Sequence, residues 1–245
     1  LNLSFTDPAL STNMSGSYSG LIQRNLLAQL SANPDLGGRI DMTVNRRGGV
    51  TGTITEGKTK YQFVTRLDLN PENLTEPHFH VAIEKANKEL EVTLDLQNHQ
   101  FSGLLRTSEP VDEDNPSAVE VHGLRNVWSK TFTPKLYAGR HNFSISNPSS
   151  NSGPKGYGFG SYTVSAKTGN FISSAKLADG SKIYGSGFVG AAGQVFLYQP
   201  LYGNRGSIMG FQQIHLGVTT AEGTLSGSLD WFKSAPDGEP RNDRV

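Results

Sequence analysis

TGNFISSAKLADGSKIYGSG, residues 168–187, decides the fold. It holds two reversals in quick succession, one at Lys167-Thr168-Gly169-Asn170 and one at Ala178-Asp179-Gly180-Ser181. Between them apolar and small or polar residues roughly alternate. Asp-Gly is a strong hairpin signal, because a tight type I′ turn needs positive φ at both central residues and glycine adopts it without a Cβ clash. Working outward, a fainter copy lies at Gly48-Gly49-Val50-Thr51-Gly52 and Glu56-Gly57-Lys58, ending on Tyr61 as the later one ends on Tyr184. Thr43-Val44 precedes the early turn as Thr163-Val164 precedes the late one. Phe101-Ser102-Gly103-Leu104-Leu105 matches Leu225-Ser226-Gly227-Ser228-Leu229 in the same order. The expectation is an internal duplication of one antiparallel β unit.

Period-two alternation runs through most of the chain, as in Ile40, Met42 and Val44, and marks half-buried antiparallel strands. The fold expected is all-β: two related antiparallel barrel or sandwich units with at most one short helix, for which Ile22 to Ala32 is the candidate. The acidic stretch from Thr107 to Ser117 supplies the boundary. The organisation expected is an N-terminal strand or arm over residues 1–12, a first β unit over 13–115, a second over 116–235 and a polar tail over 236–245. Because residue 1 is Leu, the chain is expected to be a mature or excised part of a longer product.

Composition narrows the function. Lys plus Arg and Asp plus Glu number 22 each, so no net charge points to nucleic acid or an anionic membrane. There is no cysteine, hence no disulfide, thiolate metal site or cysteine nucleophile. The 28 glycines and a charged fraction of 18% suit a turn-rich β protein. No apolar run reaches the length of a helical membrane span.

Candidate chemistry is sparse. His78, His80 and Glu84 share a strand face and form a candidate metal set; His-x-His-x-x-x-Glu resembles the first metal motif of cupins. Its flanking glycines are missing, with Glu72 and Glu91 where they would fall, and ordinary strand histidines are the competing reading. Asp112, Glu113, Asp114 and Asn115 lack the regular spacing of a calcium loop. Gly156-Tyr157-Gly158-Phe159-Gly160 has no following Gly-Lys-Ser/Thr and reads as a strand start. No Gly-x-Ser-x-Gly is present. No catalytic residue and no cofactor is expected. Candidate interaction residues are Leu1, Leu3 and Phe5 in the arm, and Phe196, Tyr198 and Tyr202 among the aromatics of the second half.

With Gly156-Tyr157-Gly158, Leu177-Ala178-Asp179-Gly180, Leu201-Tyr202-Gly203 and the closing Leu229-Asp230-Trp231-Phe232-Lys233, the second half resembles a β-rich module found near the C-terminus of large secreted or surface proteins of environmental bacteria. The first half is similar to the preceding part of that module through Gly16-Ser17-Tyr18-Ser19-Gly20 and Gly49-Val50-Thr51-Gly52. The resemblance implies an extracellular or cell-surface setting and no site residues. The reading that follows is a non-catalytic structural module acting through protein contacts. It pairs strands between subunits as a homo-oligomer or polymer, or within a larger surface protein, with carbohydrate binding and a cupin-like metalloenzyme as alternatives.

Overall fold

The computed structural model describes residues 13–24, 36–68, 76–107, 118–146, 156–216 and 224–233. The expected helix beyond Arg24, the arm 1–12, the acidic loop 108–117 with its calcium candidates, the loop 147–155 and the tail from Ser234 lie outside these residues. Among the described residues the elements are strands and two single 3₁₀ turns. The chain divides into two compact units, residues 1–126 and 127–245.

The first unit is one eight-stranded antiparallel sheet. Its strands are β1 (Gly16–Ile22), β2 (Gly38–Val44), β3 (Gly49–Glu56), β4 (Thr59–Arg66), β5 (His78–Ile83), β6 (Lys88–Asp95), β7 (Gln100–Thr107) and β8 (Ala118–Arg125). The order β4-β3-β2-β1-β8-β7-β6-β5 wraps the sheet almost into a barrel. Across the seam, Asp68 and His78 exchange two backbone hydrogen bonds of 2.6 and 3.1 Å. The inward residues, among them Tyr18, Ile40, Val50, Phe79, Leu90 and Val121, form one core. Their burial is the main driving force for closing the sheet.

The second unit repeats this plan. Its strands are β9 (Gly139–Ser146), β10 (Tyr157–Val164), β11 (Asn170–Lys176), β12 (Lys182–Phe188), β13 (Gln194–Leu201), β14 (Gly206–His215), β15 (Thr224–Gly227) and β16 (Asp230–Lys233). β9 to β12 form one sheet in the order β12-β11-β10-β9. β15 and β16 lie in line along β14, whose other edge pairs with β13. Equivalent backbone bonds recur in both units. Leu67 N–H donates to Gly48 O at 2.8 Å as Val189 N–H does to Gly169 O at 2.9 Å. Leu94 N–H donates to Pro77 O at 2.8 Å as Ile214 N–H does to Gly193 O at 2.9 Å. Thus β1 corresponds to β9, β2 to β10, and β7 to β15, which is where the matching Phe-Ser-Gly and Leu-Ser-Gly stretches sit.

Two expectations are corrected. The boundary falls after Asn126 rather than after residue 115. The stretch from Val119, read as the opening of the second unit, is β8, and it pairs with both β1 and β7. That insertion depends on glycine: a Cβ on Gly20 would stand 2.1 Å from His122 O. The turns are also of another type. At Leu177–Ser181 the Gly180 N–H donates to Leu177 O at 2.9 Å, and Gly180 has φ +88° while Asp179 does not have positive φ. This is a three-residue connection whose left-handed glycine forms a bulge, with the right-handed twist of the flanking strands preserved. Asn45–Gly49 and Gly190–Gln194 repeat it with Gly48 at +76° and Gly193 at +91°.

Candidate functional site

The cupin-like set does not assemble. His78 is held at the barrel seam by its backbone bonds to Asp68, and its neighbour Phe79 is buried in the core. His80 points outward, its Nε2 3.5 Å from Glu89 across the ladder. Glu84 leaves the strand in the 3₁₀ turn Glu84–Ala86, so it does not continue the histidine face. Among the described residues no three His, Asp or Glu side chains converge as a metal set.

The expected aromatic platform is elsewhere. Phe196 is 1% and Tyr198 8% exposed. β13 is buried at four consecutive positions, on both of its faces, so neither ring offers a surface. Tyr202 is half-buried and acts as a strut. Its hydroxyl donates to Asp179 Oδ2 at 2.5 Å and accepts from Trp231 Nε1 at 3.0 Å, and Lys233 Nζ lies 4.9 Å from its ring centre. Partial burial opposes ionisation of Asp179, but the hydrogen bonds from Tyr202 and from the Ser181 amide outweigh it and hold the carboxyl below its ordinary range. Burial, helped by that carboxylate, pushes the Tyr202 phenol up to about 12. Asp179 thereby ties the β11–β12 turn to the β13–β14 turn. Leu1, Leu3 and Phe5 lie outside the described residues.

Two surface features remain, both in the second unit. The first is an open edge. In the first unit β8 fills the place between β1 and β7. In the second, no described strand corresponds to β8: β9 pairs with β10 alone and β15 with β14 alone, and β9 and β15 approach each other without a ladder between them. Burial reflects the difference. β1 is buried from Tyr18 to Ile22, whereas on β9 the inward His141, Phe143 and Ile145 are only half-buried.

The second feature is a groove on the outer face of β9–β12, enclosing about 550 Å³. Cross-strand pairing sets its geometry. One row runs Asn142, Ser161, Ser174, Tyr184, and the next runs Ser144, Phe159, Lys176, Lys182. Phe159 is 65% and Tyr184 58% exposed, on strands two apart and one row apart, so the rings stand on a diagonal of about 12 Å with Ser174 between them. Arg140, Lys176 and Lys182 line the rim, and none of the four strands contains Asp or Glu. Composition did not reveal this groove. Its signal is the alternation Tyr157-Gly158-Phe159-Gly160, in which the glycines face inward. A Cβ on Gly160 would stand 2.7 Å from the Phe143 ring and 2.3 Å from Ala175 Cβ, so neighbouring side chains fill the interior there and the aromatics face out.

No family model matches the chain, and no curated protein matches it. Among solved structures, a crystal structure of a protein of unknown function from the DUF3598 family of Nostoc punctiforme aligns with it at 10% identity. The alignment covers 96% of this chain and 84% of that one, with a TM-score of 0.24. A likeness of that degree carries no weight on function, and the all-β fold rests on the strand pairings above.

Proposed function

We propose that the chain is a non-catalytic structural module of extracellular or cell-surface proteins that assembles by strand pairing. The observation that supports this reading is the outer edge of β9, which pairs with no described strand, set against the matching edge of β1, which β8 pairs. An unpaired edge beside half-buried apolar side chains is a template for a strand from another chain. The donor in this proposal is Leu1–Phe5 of a neighbouring copy. Its Leu1, Leu3 and Phe5 alternate with polar residues and offer the inward apolar set that Val119 and Val121 supply from β8. The tail from Ser234 carries two prolines and no such alternation. The surface setting rests on the resemblance of the Gly-Tyr-Gly and Leu-Asp-Trp-Phe-Lys stretches to modules of secreted proteins.

Light scattering of the full chain over rising concentration tests this. Association is expected, with loss of association in a Leu3→Asp/Phe5→Asp variant and capture of a synthetic 1–12 peptide by that variant. A full chain that stays monomeric, or a variant that associates equally well, overturns the proposal.

A further inference from the structure

We infer that the outer face of β9–β12 is a binding site for an acidic polysaccharide. The internal repeat supplies the argument, because the first unit carries the same scaffold positions with different chemistry. Phe159 corresponds to Arg39 and Ser161 to Asp41. In the first unit these positions satisfy one another: the Arg39 Nε and Nη2 each donate at 2.8 Å to the Asp41 carboxylate, which also accepts from Ser19. Tyr184 corresponds to Gln62 and Ser174 to Thr53. At these positions the first unit is polar and the charges of Arg39 and Asp41 offset each other, with Lys60 at the place of Lys182. On the same frame the second unit places three outward rings, Tyr157, Phe159 and Tyr184, with three cations and no carboxylate on its four strands.

Neither fold nor core requires this. An exposed aromatic on a sheet face loses hydrophobic stabilisation relative to burial, and Lys176 and Lys182, directly opposite on adjacent strands, repel each other in the absence of an anion. The one acidic residue on the β11–β12 hairpin, Asp179, is engaged by Tyr202 and Ser181 instead.

The ligand class follows from the parts. The C–H face of a pyranose ring is apolar and slightly positive, and it lies flat on the negative face of Phe or Tyr. Ser174 between the rings, with Ser161 and Asn142 continuing its row toward β9, offers the donors and acceptors that sugar hydroxyls need. Arg140, Lys176 and Lys182 then match the acidic substituents of successive sugars. A single-stranded nucleic acid also stacks on aromatics, but it brings a phosphate at every nucleotide and draws on a longer basic track than three side chains on a chain of zero net charge. Arg140 and Asn142 belong to the edge strand β9, but the rings and the two lysines stand on β10 to β12, so the groove variants leave the β9 edge unchanged.

Affinity electrophoresis and calorimetry of the full chain with polygalacturonate, dextran and oligo-dT test the inference. Polygalacturonate is expected to bind, dextran and oligo-dT not. Binding is expected to fade in about 1 M salt, where the screening length falls to about 3 Å. Tyr184→Ala and Phe159→Ala are each expected to weaken binding about three- to tenfold. Lys176→Glu/Lys182→Glu abolishes it, and Gln62→Ala on the matching face of the first unit leaves it unchanged. All are surface positions, so the melting temperature is expected to hold and to verify folding. No binding of polygalacturonate, equal binding of dextran, tighter binding of oligo-dT, or indifference to the groove variants overturns the inference.

Discussion

Replacing Lys88 with Met tests how the first unit tolerates a charge in its interior. Lys88 Nζ lies 2.6 and 2.5 Å from the two carboxylate oxygens of Glu56, and both side chains are 12% exposed. The pair ties the end of β3 to the start of β6. At an effective dielectric of about 20, unit charges about 4 Å apart attract by about 4 kcal/mol. Burial nevertheless dominates the Glu56 carboxyl and holds it above its ordinary 4.5, with the Lys88 charge and hydrogen bond only partly offsetting that push. Lys88→Met therefore strands a buried carboxylate, and the expected loss is about 3–5 kcal/mol at pH 7. Glu56→Gln/Lys88→Met, which removes both charges, is expected to fall within about 1 kcal/mol of the native chain. The pH dependence has a definite sign. A carboxyl whose folded pKa is raised is most compatible with folding below its unfolded value near 4.5, and the penalty grows as pH rises through the folded value. The deficit of Lys88→Met should thus shrink between pH 7 and pH 4. Urea unfolding followed by far-ultraviolet circular dichroism at the two pH values measures it. A single-variant cost under about 1 kcal/mol, or a deficit equal at both pH values, would refute the reasoning.

Further outcomes are expected in the same assay. Gly169→Ala should cost about 3 kcal/mol or more, since φ is +69° and the new Cβ would stand 2.2 Å from Trp128 Cδ1. Gly203→Ala, at φ +68° with open space around it, should cost about 1 kcal/mol from backbone strain alone, and equal costs at the two sites would be the disproof. Burial, opposed in part by the Arg125 charge, pushes the Tyr18 phenol up to about 12. Its contribution is complete below pH 10 and lost as pH rises through 12, so first-unit stability should fall across that window and fall less in Tyr18→Phe. A flat profile would contradict this.

The hairpins were legible because period-two alternation and left-handed glycines are local properties. Pairing is not local, which is why β8 was assigned to the wrong unit: its own residues say that it is a strand and nothing about its place between β1 and β7. Phe196 and Tyr198 misled for a related reason. A strand buried on both faces has no polar side to separate inside from outside, so its aromatics cannot be sorted by parity. The histidine pair lay on a true strand, but the run stopped before Glu84 because the chain turned into a 3₁₀ segment there. The groove stayed hidden because its outward rings are set by what fills the space behind Gly160, and that filling comes from β9 and β11.

The insertion of β8 between β1 and β7 also sets the order in which the first unit can form. Tyr18 pairs with Arg125, so the first strand waits for the last before its outer edge is satisfied. The β2–β3–β4 meander can zip as soon as it is made, but closing the barrel needs contacts spanning about a hundred residues, which places it among slow, high-contact-order events. On a ribosome emitting the chain from its N-terminus, β1 would emerge with one side open and stay so until β8 had cleared the exit tunnel. Truncation before residue 118 therefore leaves an edge exposed on a nearly complete barrel, and nascent chains stalled there are the species on which chaperones should be found.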